Sequence, residues 1–235
     1  MLQSNLAAKA EQLNLRFAGL PAASLLKEVF ANGLLGRAAL VSSFGGEAAV
    51  LLHMLSKIAP KAPILFIDTE LLFPETLAYQ AELAARFQLG NVQTLRADTS
   101  LTDPTDSLHR SDPEACCALR KTAPLQAALA PYAAWTSGRK HFQGGARSTL
   151  ELFEAEHGTG RIKLNPLANW SPKQIASYFD AHDLPRHPLT AKGYGSLGCA
   201  PCTSPAKGRA GRWQDRAKTE CGIHLPAQTP KGENA

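Results

Sequence analysis

Between residues 38 and 96, short apolar runs alternate with helix-length amphipathic segments, and few folds accommodate that order. Ala38–Ser42 and Pro63–Asp68 have the continuous apolar character of strands buried on both faces, and Val92–Arg96 makes a third. Between them lie two segments with helical spacing: Ala48–Ile58, which ends before Pro60, and Phe73–Phe87, which opens on Pro74-Glu75. This series predicts an α/β fold, a parallel sheet with helices on both faces. Ligands of such sheets bind beyond the carboxyl ends of the strands, which sets Ser42–Glu47 and Asp68-Thr69 on one rim.

The flanking chain is consistent with that core. Residues 1–32 read as two helices, the second opened by Pro21. Trp135-Thr136-Ser137 reads as a strand entering the polar loop Gly138–Arg147, Ile162–Leu164 as another, and Ser171–Phe179 as a helix. Beyond Pro185, Gly and Pro are dense and regular structure is expected to be sparse. The 235 residues are expected to form one domain: N-terminal helices over 1–36, the α/β core over 37–197, and a C-terminal segment over 198–235. Apolar content of 44% and charged content of 19% suit a soluble globular chain. Residues 1–6 lack a cationic stretch leading into an apolar run, so no signal peptide is expected. No window approaches the roughly 18 apolar residues of a membrane span. A cytoplasmic protein follows as the expectation, and there paired cysteines act more often as metal ligands or redox groups than as disulfides.

Four groups of residues could carry chemistry. Ser42, Ser43, Phe44, Gly45, Gly46 and Glu47 join a strand to a helix, where small residues and free backbone N–H groups can hold a phosphate. No Gly-Lys-Ser/Thr follows, so it is not a Walker A loop, and alone it also reads as a ligand-free turn. The neighbouring Asp68-Thr69 favours the nucleotide. The chain has five cysteines, four of them in two tight pairs, Cys116-Cys117 and Cys199/Cys202. Four thiolates suit zinc or an iron–sulfur cluster, and adjacent cysteines, awkward for tetrahedral zinc, favour the cluster. Arg120 and Lys121 beside them would offset its negative charge. Arg139, Lys140, His141 and Arg147 share one loop and Lys207, Arg209 and Arg212 another, patterns suited to clamping phosphate or sulfate as well as to a solvated surface. With a formal charge of only +5 and few aromatic residues among these cations, nucleic acid is not expected as a partner. Cys221, in Glu220-Cys221-Gly222-Ile223-His224, has a histidine three residues on and a basic surround, which would favour a reactive thiolate. Gly222 and Pro226 predict a mobile tail around it.

In this order the four groups resemble the assimilatory sulfonucleotide reductases, and among them the iron–sulfur adenylyl-sulfate (APS) reductases. The resemblance runs from about Ser42 to Leu225 and is carried by Cys116-Cys117-Ala118-Leu119-Arg120-Lys121, Ile162–Leu167, Gly193-Tyr194 through Cys202, and the Glu220–His224 tail. It implies an adenine-nucleotide α-hydrolase-like fold and one four-iron four-sulfur cluster on Cys116, Cys117, Cys199 and Cys202, with neither flavin nor nicotinamide. It implies that Cys221 attacks the sulfur of APS, releasing AMP, and that a separate dithiol protein, thioredoxin or glutaredoxin, then frees sulfite. It further implies that Ser42–Glu47 holds the nucleotide phosphate with Asp68, Thr69 and Gly138 nearby. Lys121 would stand between cluster and substrate, Arg147, Arg209 and Arg212 on the phosphosulfate, and His224 beside the nucleophile. Reductases of the 3′-phosphorylated substrate (PAPS) commonly keep the tail and lack the four cysteines, so APS is favoured and PAPS is the alternative. Two further alternatives stand behind these: a tRNA-thiolating ATP pyrophosphatase, disfavoured because Asp-Ser does not follow Gly45-Gly46, and a zinc-ribbon nucleic-acid binder, disfavoured by the strand–helix alternation. The sequence leaves oligomeric state open, a homo-oligomer included.

Overall fold

The computed structural model describes residues 2–214 and 218–224. The end of the expected tail, from Leu225 onward, lies outside the described residues. Six strands form one sheet: β1 (Ala38–Ser42), β2 (Ile64–Ile67), β3 (Val92–Leu95), β4 (Ala134–Thr136), β5 (Phe153–Glu156) and β6 (Arg161–Leu164), in the order β3-β2-β1-β4-β6-β5. All neighbours pair in parallel except β5 and β6, which are antiparallel. The sheet is therefore parallel with one antiparallel edge strand, which the apolar pattern had not indicated. The order reverses direction at β1, and the crevice beyond β1 and β4 is where such a sheet takes its ligand.

Two apolar layers cover the sheet. One face packs against α1 (Leu2–Arg16), α2 (Ala22–Leu26), α3 (Ala48–Ile58), α4 (Pro74–Arg86) and a later helix, α8 (Pro172–Ala181), through residues such as Leu26, Leu52, Leu83 and Phe179. The second face is smaller: Val41, Leu65 and Trp135 meet Leu125 and Leu129. α8 begins where Ser171 and Gln174 cap each other's backbone and Pro172 occupies the first turn, so its start was legible.

The helical stretch carrying the first cysteine pair was not foreseen. α5 (Leu108–Ser111) is followed by α6 (Pro113–Cys117), which runs through a π-turn (Ala118–Thr122) into α7 (Ala123–Leu129), ahead of α9 (Pro188–Ala191). The Asp112 carboxylate accepts the Glu114 and Ala115 N–H groups and starts α6. Arg120 is 1% exposed, with Nη2 2.9 Å from Asp103 and Nη1 donating to the Thr69 carbonyl at 2.9 Å. One buried guanidinium thus ties the cysteine-bearing helix to the end of β2. No helix among the described residues is long and apolar enough to cross a membrane.

Candidate active site

The crevice beyond β1 and β4 opens into a cavity of about 500 Å³. Its floor is the β1–α3 loop, with Ser42, Ser43, Gly45, Gly46 and Glu47 on the lining. Phe44 departs from expectation: its side chain is fully buried, packs edge-on against Phe66 at 5.2 Å and does not reach the cavity. Its left-handed backbone (φ 48°) makes the turn, steadied by its N–H donating to Ser42 Oγ at 3.2 Å. Asp68 departs as well. Arg96 holds its carboxylate at 2.8 Å, whereas Thr69, one residue on, lines the cavity. Gly138 lies on the opposite wall, where Lys140 donates to its carbonyl and to Glu47, both at 2.8 Å.

The far end of the cavity is cationic, with Lys121, Arg147, Arg209 and Arg212 on its lining beside Cys221 and His224. The segment around Cys221 is packed rather than exposed: Glu220 and Cys221 are both buried. Glu220 forms a two-point pair with Arg147 (2.6 and 2.7 Å), meets Arg209 at 3.2 Å and accepts the Cys221 N–H at 2.9 Å. Burial opposes its charge, yet the Arg147 and Arg209 guanidiniums hold its pKa down to about 2. That contribution to the closed segment is complete above the unfolded carboxyl value near ~4.3 and is lost only as pH falls through about 2. Glu220→Gln removes the paired charge, so Cys221 in this variant should react with an uncharged alkylating agent at least about tenfold faster at neutral pH. An unchanged rate would show that the pair does not hold the segment.

Arg212 lies flat against Gly198, where any Cβ would collide with the guanidinium, and donates to the Leu197 carbonyl at 2.7 Å. It stacks over Trp213 at 4.4 Å, and its buried Nε has no acceptor among the described residues. A buried guanidinium N–H without a partner is a demand for an acceptor. Gly211 approaches the Ser204 carbonyl equally closely, which explains why the basic loop needs its glycines.

The five cysteines form no disulfide. Cys116 lies near Cys199 and Cys202: burial pushes its thiol up, and those two sulfurs act in the same direction. Thr69 Oγ1 is 3.2 Å from Cys199 Sγ, so the end of β2 also braces the second pair. Cys117 lies beside Cys221. The Cys117 contact lowers the Cys221 pKa well below the usual thiol range, with Lys121 and Arg212 assisting against burial. Burial works against the Lys121 ammonium too, but the sulfurs of Cys199, Cys221 and Cys117 outweigh it and raise its pKa. In these positions no three His, Cys, Asp or Glu side chains among the described residues are arranged as a metal-ligand set. The donor chemistry nevertheless suits an iron–sulfur cluster: Cys116, Cys117 and Cys199 are buried and Cys202 half-buried, with cations beside them, and Cys117 would have to turn from Cys221.

The sequence family described as the phosphoadenosine phosphosulfate reductase domain matches residues 37–205, well over half of the chain. The chain belongs to that family. Among its relatives, the adenosine 5′-phosphosulfate reductase of Mesorhizobium japonicum is 47% identical over 80% of this chain and 76% of its own. The phosphoadenosine 5′-phosphosulfate reductase of Gloeobacter violaceus is 40% identical over 79% of this chain and 81% of its own. The crystal structure of the phosphoadenylyl-sulfate reductase of Candida auris, a phosphate complex, superposes with a TM-score of 0.71 at 27% identity, covering 83% of this chain and 96% of that one. The Candida glabrata FMN adenylyltransferase shares the fold alone, with a TM-score of 0.53 at 17% identity over 86% of this chain and 74% of its own. The adenine-nucleotide α-hydrolase-like fold expected from the resemblance is the fold observed. With the family shown, the zinc-ribbon alternative falls away.

Two buried charged residues at this end of the cavity were not singled out from the sequence. Glu220 was read as part of a motif rather than as the counter-ion of Arg147. Lys163 was read inside an apolar strand, although its ammonium reaches His224 Nδ1 at 3.0 Å. A lysine between Ile162 and Leu164 in a strand buried on both faces was the available signal.

Proposed function

We propose that this protein reduces adenosine 5′-phosphosulfate to sulfite and AMP in assimilatory sulfate reduction, with a separate dithiol protein such as thioredoxin as reductant. The reading is carried by one observation: a buried cysteine, Cys221, stands among Lys121, Arg147, Arg209 and Arg212 at the end of a nucleotide-sized cavity. The Ser43–Glu47 loop would hold the phosphate and the cations the sulfonyl group, drawing the anion onto the thiolate.

In the first step the Cys221 thiolate attacks the sulfonyl sulfur. A Cys–S–SO₃⁻ bond forms, the S–O bond breaks, and AMP departs with its electron pair. Lys121 and the arginines offset the charge that grows on the departing oxygen. In the second step a thiolate of the dithiol attacks Cys221 Sγ, and sulfite leaves with the electron pair. The second thiol of the reductant then displaces Cys221, so the dithiol becomes a disulfide and supplies the two electrons. A four-iron four-sulfur cluster would be held by Cys116, Cys117, Cys199 and Cys202, where it would supply a polarisable charged body beside Lys121. The same reading takes residues 1–235 as one cytoplasmic domain.

The experiment is turnover of APS and PAPS side by side with thioredoxin, together with the visible spectrum and metal content of the purified protein. Sulfite from APS at least about tenfold faster than from PAPS, with a brown iron- and sulfide-containing protein, is the expected result. Faster turnover of PAPS would reassign the substrate, and a colourless zinc protein would overturn the cluster.

A further inference from the structure

Lys163 lies on β6, opposite Trp135 of β4 in the parallel register and opposite Glu154 of β5 in the antiparallel one. Directly paired residues share a face of the sheet, so Lys163 and Trp135 both face the second apolar layer, where Ile223 also packs. The Lys163 ammonium sits 4.4 Å from the centre of the Trp135 ring. His224 stacks on the same ring, 5.9 Å away and 8° from parallel, with Nδ1 3.0 Å from Lys163 Nζ. The His224 backbone N–H donates to the Cys221 carbonyl at 2.9 Å, so the ring is fixed relative to the nucleophile. Lysine is 5% exposed here, among the most buried cations of the chain, and nothing in the mechanism above uses it.

An ammonium has three donors and no acceptor, so a histidine nitrogen facing it must be the unprotonated one. Burial, then Lys163, Arg139, Arg147 and Arg209 all disfavour a charged His224, so the ring is neutral and its single proton is left to the other nitrogen. We infer that Lys163 is a positioning residue that holds His224 in the tautomer bearing its proton on Nε2. His224 lines the cavity, so this tautomer gives the cavity a hydrogen-bond donor where the other would give it an acceptor. The inference rests on the proposed attack by Cys221. As the S–O bond breaks, the departing oxygen gains the electron pair, and a donor stabilises it where an acceptor would repel it. No proton need be transferred.

The groups facing Lys163 set the range over which this holds. Burial and Arg139 push its pKa down to about 7, while Glu154, Glu156 and Glu220 act in the opposite sense. Below that pH the ammonium is an obligate donor; above it the neutral amine can accept, and the Nδ1–H tautomer becomes accessible. An anionic substrate nearby favours the ammonium and carries the lock to higher pH. Arginine at position 163 would stay charged throughout.

Nitrogen NMR of histidine-labelled protein, with the His224 signals assigned by loss in His224→Gln, reads the tautomer without any turnover. In the substrate-free wild type, Nε2–H should dominate at pH 6 and give way on raising the pH through about 7. In Lys163→Arg it should persist to higher pH, and in Lys163→Met it should be lost at every pH. Single-turnover formation of S-sulfonated Cys221, with no dithiol present, should fall roughly 100-fold in Lys163→Met and recover to within about tenfold of wild type in Lys163→Arg. The melting temperature of Lys163→Met should stay level or rise, because an unfavourably buried charge is gone. Nδ1–H in the wild type at pH 6, or a Lys163→Met protein with unchanged tautomer and rate, would overturn the inference. A wild type that forms no S-sulfonate from either sulfonucleotide would instead sink the proposed reaction, leaving the NMR result to decide the lysine–histidine contact.

Discussion

Cys221→Ser should form no measurable sulfite, a loss of roughly 10⁴-fold or more, while the fold is retained. A serine hydroxyl near Lys121 and Arg212 remains protonated at neutral pH, so the first attack loses its nucleophile. The second half-reaction is lost as well, because an oxygen cannot take part in exchange with a dithiol. Serine is close in size to the buried Cys221, so the stability of the fold should change by only about 1 kcal/mol. The visible absorption of the purified variant should match the wild type. Residual sulfite formation would move the nucleophile elsewhere, and a loss of absorption would place Cys221 among the cluster ligands.

Lys121→Ala carries the second largest effect, about 100- to 1,000-fold in turnover, with little change in melting. The ammonium is flanked by the sulfurs of Cys199, Cys221 and Cys117 and lies on the cavity lining. Its removal takes away the cation that both favours the Cys221 thiolate and faces the incoming anion, but it also relieves a desolvated charge. Activity and stability should therefore separate. Lys121→Arg should recover part of the rate, since charge rather than shape is needed. A fall in melting temperature proportionate to the loss of activity would mark the residue as structural.

β1 and β2 were legible because burial on both faces leaves an uninterrupted apolar run, as in Ala38–Ser42, all of it buried. β5 was not, because Phe153-Glu154-Ala155-Glu156 carries two carboxylates whose purpose is tertiary: Glu154 pairs with Arg139, and Glu156 with Arg161 at 2.7 Å. The helix bearing Cys116 and Cys117 was hidden by Pro113, Pro124 and the π-turn between them, which break the 3.6-residue period. At the site, residue type predicted position well for the arginines Arg147, Arg209 and Arg212, which reach the cavity from two separate loops. It misled for Phe44 and Asp68. Both stand in the right loops, but the phenyl ring fills the core and the carboxylate answers Arg96. A motif fixes where a residue stands along the chain, and packing decides which way it turns.

The Glu220 carboxylate already sits across Arg147 and Arg209 at hydrogen-bonding distance. Any anion that takes those two guanidiniums must first evict a covalently tethered competitor. Inorganic sulfate or phosphate, however abundant, has no other contacts with which to meet that cost. An anion delivered on an adenosine handle does, because the handle's contacts elsewhere in the cavity can drive the exchange. On the proposed reading the tethered carboxylate acts as a selectivity filter, one that rejects the commonest look-alikes of the substrate's charged end without any steric gate.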